Sequence, residues 1–209
     1  MNSFKKGKLI TIEGIEGVGK STNVKFIAEC LKKKGFEVVI TREPGGTPLA
    51  EDVRKILLTE YREPTLVETE LLLLYAGRMQ HIAAVIQPAL DQGKWVVCDR
   101  FNDATFAYQG AGRGYLMSKI ESLDTWALGD FAPDYTIILD APVEVAFERI
   151  APHRTLDRFE KEQKAFFERI RQAYLARAAL NPTRYQVIDA TQTLTAVQQE
   201  LQQFFEALS

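Results

Sequence analysis

Short apolar runs alternate with longer amphipathic stretches along the chain. Lys8-Leu9-Ile10-Thr11-Ile12 alternates in a β-rich pattern, while Val38-Val39-Ile40, Trp95-Val96-Val97 and Ile137-Ile138-Leu139 are continuously apolar. These runs predict strands at 8–13, Phe36 to Thr41, Trp95 to Asp99, Tyr135 to Asp140 and Tyr185 to Asp189. Between them apolar residues recur at helical spacing, as Val24, Ile27, Ala28 and Leu31 do. Helices are predicted at 20–34, 48–59, 66–91, 117–129, 142–150, 158–180 and 193–208. Strands alternating with helices fold as a parallel sheet with right-handed crossovers, and strands this apolar are covered on both faces. No repeat, low-complexity tract or linker divides the sequence. The expected architecture is therefore one α/β domain over residues 1–209, a five-stranded parallel sheet flanked by helices in three layers.

Ligands of such sheets bind beyond the carboxyl ends of the strands, and the unusual residues cluster there. After the first strand comes Gly14-Ile15-Glu16-Gly17-Val18-Gly19-Lys20-Ser21, a complete G-x-x-x-x-G-K-[ST] phosphate loop between a strand and a helix. Its glycines let backbone N–H groups converge on a polyphosphate, Lys20 reaches the outer phosphates and Ser21 completes a Mg²⁺ shell. The anion then sits at a helix N-terminus, where the dipole favours it. These features predict a bound nucleoside triphosphate.

Composition narrows the rest. The 209 residues suffice for one domain with a substantial core, and a formal net charge of −2 supplies no field for nucleic acid or an anionic membrane. Cys30 and Cys98 fit neither a disulfide framework nor a zinc spacing and read as buried thiols of a reducing cytoplasm. Lys5, Lys6 and Lys8 precede an apolar stretch too short for a signal peptide or membrane span.

Asp99 closes its strand and can hold Mg²⁺ through water, or merely cap the next segment. Arg54, Arg78 and Arg100 stand in three separate segments near the same edge. Arginine favours bidentate phosphate contact, and the donor already has Lys20. The additional arginines therefore suggest an acceptor that is itself a phosphate. In the stretch Thr105 to Tyr115, Gln109 can both donate and accept, which suits a nucleobase edge, and Thr105 adds a hydroxyl. On composition alone this stretch is a glycine-rich connection between helices. Segment 151–157, broken by Pro152, fits a lid over the phosphates and an inter-helix turn equally well. No N-K-x-D signature or D-x-x-G switch supports a GTPase-like binding protein.

Taken together, the chain resembles the bacterial thymidylate kinases, a family of P-loop nucleoside-monophosphate kinases. The resemblance rests on Glu13 to Thr22 (EGIEGVGKST), Thr41 to Thr47 (TREPGGT), Leu49 to Arg54 (LAEDVR), Tyr75 to Arg78 (YAGR), Asp99-Arg100, Ala107 to Gly114 (AYQGAGRG), Leu156 to Glu160 (LDRFE) and Ile188 to Ala190. It implies the three-layer P-loop kinase fold with a short lid at about 150–158, and transfer of the γ-phosphoryl of ATP to dTMP. Gly14 to Thr22 and Arg149 would bind ATP, with Mg²⁺ at Ser21 and Asp99. Arg54 and Arg100 would hold the acceptor phosphate, Arg78, Thr105 and Gln109 would read thymine, and Glu16 would face the sugar. Pro44, after Glu43, would follow a cis peptide bond. Leu74 falls where a phenylalanine commonly stacks on the base, leaving compensation to another aromatic such as Phe106. Gly17 replaces a loop arginine carried by some relatives, so Arg154 and Arg158 of the lid would supply the transition-state cation beside Lys20. His153 stands where a lid arginine is expected, and His81 reads as structural. A cytoplasmic homodimer is implied, with helices such as 66–91 available to pair.

No general base is needed, because a phosphate acceptor with a second pKa near ~6 is already ionised at neutral pH. Catalysis reduces to alignment, charge neutralisation and water exclusion.

Overall fold

A computed structural model describes residues 7–150, 158–159 and 162–207. The first strand, β1 (Leu9–Glu13), alternates its side chains between two cores. Ile10 and Ile12 enter one with Val24 and Ile27 of α1 (Lys20–Lys33), while Leu9 enters the other. All five strands are parallel, in the order β2 (Val38–Arg42), β3 (Trp95–Asp99), β1, β4 (Tyr135–Asp140), β5 (Tyr185–Asp189). Asp99 pairs in register with both Ile12 and Arg42, and Asp140 with Asp189, so the carboxyl ends share one edge. Buried hydroxyls also join the central strands, with Thr11 and Thr136 hydrogen-bonded at 2.9 Å.

One face carries α1, α8 (Lys164–Leu180) and α9 (Leu194–Ala207), contributing Phe167, Ile170 and Leu201 to the larger core. The other packs Leu71 and Tyr75 of α3 (Val67–His81) and Ile120 of α6 (Met117–Leu128) on Val96 and Cys98. Shorter helices include α2 (Pro48–Leu58), α4 (Gln87–Asp91) and α7 (Val143–Glu148). α2 has Pro48 in its first turn, and its N-cap Thr47 accepts from the Ala50 N–H at 3.1 Å.

Three elements differ from their sequence patterns. The helix expected at 66–91 is continuous in direction but widens into a π-helical turn at Ile82–Ile86, before Pro88, which lacks an N–H for the regular ladder. The stretch expected to be a glycine-rich connection is helical: α5 (Asn102–Thr105) runs into a π-helical segment, Phe106–Gly112. Gly110 and Gly112 serve close packing there, because a β-carbon on either would press on Met117 or Phe166. α8 starts at Lys164, not 158. Cys98 is buried as expected, but Cys30 is only half-buried. The Glu43–Pro44 peptide bond is cis. Among the described residues no helix is long and apolar enough to cross a membrane.

Candidate active site

The phosphate loop turns out of β1 and delivers its backbone to the start of α1. Gly19 adopts φ 91°, a left-handed conformation suited to glycine, and no side chain caps α1. The N–H groups of the first turn are therefore left for an anion. Lys20 is buried, its ammonium donating to the carbonyls of Gly14 at 3.0 Å and Ile15 at 2.7 Å. Burial, reinforced by the Arg100 guanidinium, pushes its pKa down to about 8. The Ser21 hydroxyl donates to Asp99 at 3.3 Å. Gly17, Gly19, Lys20, Ser21, Thr22 and Arg149 line an open cavity of about 1280 Å³. Arg149 is fixed at its rim by the Ala190 carbonyl at 2.6 Å. Ile15 and Val18 point into the core, so these loop positions offer an anion only their backbone.

A second cavity, also open to solvent, lies under α2 and α3. Its apolar walls are Leu57, Leu74, Phe101, Ala104 and Phe159, and its polar groups include Arg78, Thr105 and Gln109. Arg78 is 3% exposed, with Nε donating to Glu43 at 2.6 Å and Nη2 donating to the Phe101 carbonyl at 3.2 Å and Thr105 at 3.1 Å. Its Nη1 is buried with no hydrogen-bond partner. Glu43 also meets His81 Nδ1 at 3.1 Å, and His81 Nε2 meets Thr41 at 2.6 Å, a framework contact beneath the cavity.

Glu16, Glu43, Arg54 and Arg100 line both cavities and form the wall between them. Arg100 is the one non-glycine among the described residues with positive φ, 69°. That conformation is strained for a residue with a β-carbon and is held by its surroundings. The Arg100 N–H donates to the Ile12 carbonyl at 2.9 Å, the Cys98 thiol donates to the Arg100 carbonyl at 3.0 Å, and the next N–H, of Phe101, donates to the buried Glu13 carboxyl at 2.7 Å. The guanidinium donates to the Gly14 carbonyl at 3.0 Å, Tyr174 at 3.1 Å, Glu16 at 2.8 Å and Tyr108 at 2.9 Å. Burial pushes Glu16 up, but Arg100, Lys20 and the Tyr108 hydroxyl outweigh it and hold the carboxyl below its ordinary range. Arg54 donates to the Pro44 carbonyl at 3.1 Å.

The structure therefore brings Lys20, Ser21, Asp99, Arg149, Glu16, Arg54 and Arg100 to one cavity, and Leu74, Arg78, Thr105 and Gln109 to its neighbour. Arg158 is elsewhere. Its Nη1 lies 2.7 Å from Glu70 and its Nε donates to the Leu57 carbonyl at 3.2 Å, beside the second cavity and outside the lining of the first. Arg154, His153 and most of the expected 150–158 lid lie outside the described residues. Phe106 does not compensate for Leu74, because it packs in the core with Arg177 over its ring. The aromatics lining the cavity are instead Phe101, Tyr108 and Phe159. Pattern reading passed over Glu13, Glu43, Glu70 and Tyr108 as site residues. Glu13, Glu43 and Tyr108 each stand inside a motif quoted above, whereas Glu70 carried no signal.

A family model described as thymidylate kinase matches residues 12–201. The chain belongs to the thymidylate kinase family. Thymidylate kinases of Pseudomonas fluorescens and Ectopseudomonas mendocina are 53% and 52% identical to it, the first over 93% of both chains and the second over 97% of this chain and 96% of the relative. The crystal structure of thymidylate kinase from Ehrlichia chaffeensis is similar with a TM-score of 0.76 and 35% identity, covering 98% of this chain and 99% of that one. Membership makes the protein an ATP-using kinase of the α/β class, and the parallel five-stranded sheet agrees.

Proposed function

We propose that this thymidylate kinase family member transfers the γ-phosphoryl group of ATP to dTMP, releasing dTDP and ADP, and that the whole chain acts as one kinase domain. The observation that carries the reading is the wall shared by the two cavities, which sets a phosphate loop back to back with a pocket lined by Arg78, Thr105 and Gln109. ATP occupies the loop side, its phosphates on the N–H groups of Gly17 to Thr22 and on Lys20, its base toward Arg149. Ser21 and Asp99 are hard oxygen donors facing that cavity, a set that suits Mg²⁺ completed by phosphate and water. When bound there, the ion neutralises phosphate charge.

The acceptor phosphate meets Arg100 and Arg54 while Glu16 faces the sugar. Arg100 is oriented before substrate arrives by Glu16, Tyr108, Tyr174 and Gly14, so little ordering is left for binding to do. An oxygen of the ionised acceptor attacks the γ-phosphorus in line as the bond to the ADP oxygen breaks, and no protein base is required. Lys20 and Arg154 carry the growing charge, Arg154 on the motif resemblance alone. Arg158 must leave Glu70 to join them.

The protein works as a cytoplasmic homodimer in this reading. Support for pairing comes from Leu49, Ile56, Leu72, Met79 and the 73% exposed Trp126, all on the adjoining helices α2, α3 and α6. A coupled ADP-release assay against dTMP, dUMP, dCMP, dGMP and AMP tests the activity. Clear preference for dTMP is expected, and preference for any other monophosphate overturns it.

A further inference from the structure

Glu70 of α3 is completely buried, yet no step of the phosphoryl transfer uses it. One carboxylate oxygen accepts from Gln109 Nε2 at 2.8 Å, and the other lies 2.7 Å from Arg158 Nη1 and 3.7 Å from Arg113 Nη2. The Arg113 guanidinium stays beside Glu70 when Arg158 leaves for the phosphates, so Glu70 keeps a counter-charge as a carboxylate and can only accept. A glutamine amide is otherwise free to present either end, because its oxygen and nitrogen are nearly equal in size. Against Glu70 only one orientation avoids setting two acceptors face to face. The nitrogen goes to Glu70, and the carbonyl oxygen is turned away toward the pocket that Gln109 lines.

The neighbouring polar group of that pocket is the reverse. Arg78 Nη1 is a buried donor with no partner in the protein. The pocket therefore offers one donor beside one acceptor, in a fixed order. Thymine carries a carbonyl acceptor, O4, beside the N3–H donor. Cytosine carries an amino donor, N4, beside the N3 acceptor, and so mismatches at both atoms. A buried site with unpaired polar groups rejects such a mismatch far more strongly than an apolar pocket rejects a change of shape.

We propose that Glu70 is a positioning residue that sets base choice by fixing the side-chain amide of Gln109, so that the acceptor pocket takes 4-keto pyrimidines and rejects 4-amino pyrimidines. This rests on the acceptor reading given above. A glutamine at position 70 both donates and accepts, so the amide pair holds together in either orientation and Gln109 is released to flip.

The test is the ratio of kcat/KM for dTMP to that for dCMP in wild-type, Glu70→Gln and Glu70→Gln/Gln109→Glu proteins, with thermal melting on each. Glu70→Gln is expected to lower the ratio about tenfold or more, chiefly through KM for the nucleotide, with KM for ATP within about twofold. The double variant restores a one-way pair with the partners exchanged: the amide on α3 donates to a carboxylate at position 109, which returns an acceptor to the pocket. Its ratio is expected to climb back toward wild type, a recovery that a merely structural role for Glu70 does not produce. A folded Glu70→Gln that keeps the wild-type ratio overturns the proposal. So does a folded double variant that does not prefer dTMP, which decides the matter even if the single variant fails to melt cooperatively. A wild-type protein that does not favour dTMP over dCMP instead sinks the acceptor reading itself.

Discussion

Gly17 of the phosphate loop lies against the backbone of Ala146 in α7, so closely that a β-carbon on Gly17 would overlap the Ala146 carbonyl. With φ of 81° the position is also unfavourable for any L side chain. The loop position that carries arginine in some relatives is thus closed by packing in this chain. Gly17→Ala is expected to push the loop off α7 and raise KM for ATP at least about tenfold, with a smaller change for dTMP. Steady-state kinetics with each substrate varied in turn checks this; unchanged ATP affinity would show that the loop yields freely.

Lys20 lines the phosphate-loop cavity only, whereas Arg100 belongs to the wall shared with the second cavity. Lys20→Ala and Arg100→Ala are each expected to cut kcat/KM at least about a hundredfold, the scale for removing a group aimed at transition-state charge. Near-native circular dichroism and melting should accompany the loss. Full activity in either variant removes the basis for the site.

The ammonium of Lys20 titrates near 8 in the free protein, chiefly because it is buried. A bound polyphosphate favours the charged form, so binding takes up a proton once the pH passes that value. ATP affinity is expected to be flat below about pH 7.5 and to weaken as pH rises through about 8, approaching tenfold per unit beyond it. Titration calorimetry in two buffers of different ionisation enthalpy reads both the affinity and the proton. A flat profile to about pH 9.5 contradicts the assignment of that proton to Lys20.

Glu43 is the buried counter-charge of Arg78, at 2.6 Å, and the partner of His81. Glu43→Ala leaves a guanidinium in the interior without its anion and should cost about 3–5 kcal/mol of stability. Urea unfolding at neutral pH measures it. A loss below about 1 kcal/mol would mean that water or a shift of Arg78 replaces the pair.

Arg100 keeps a left-handed backbone because Glu13 receives the Phe101 N–H and Tyr174 hydroxyl. Burial pushes the Glu13 carboxyl up to about 8, so it is mostly protonated at neutral pH and Glu13→Gln would mimic it, whereas Glu13→Ala removes the acceptor of both bonds. In Glu13→Ala, KM for dTMP is expected to rise about tenfold with little change for ATP. Equal loss for both nucleotides would instead point to a general disturbance of the sheet edge.

The phosphate loop was legible from sequence because its function needs eight consecutive residues between a strand and a helix, all local. The strand and helix pattern was legible because Ile10, Ile12, Val24 and Ile27 record burial at the period of their own element. Arg54, Arg78 and Arg100 could be assigned to the strands' carboxyl edge, since parallel topology gathers those ends. Tertiary structure alone decided how they divide. Arg78 turned to Glu43 beside the second cavity, Arg100 locked between Glu16 and Tyr174, and Arg158 moved to Glu70. It also made the glycine-rich 106–112 stretch a π-helical wall and left Phe106 in the core. Such outcomes depend on pairings such as Glu13 with Tyr174 and Glu70 with Gln109, whose partners are distant in the chain. Periodicity shows that a residue is buried; only packing shows which charge it is buried against.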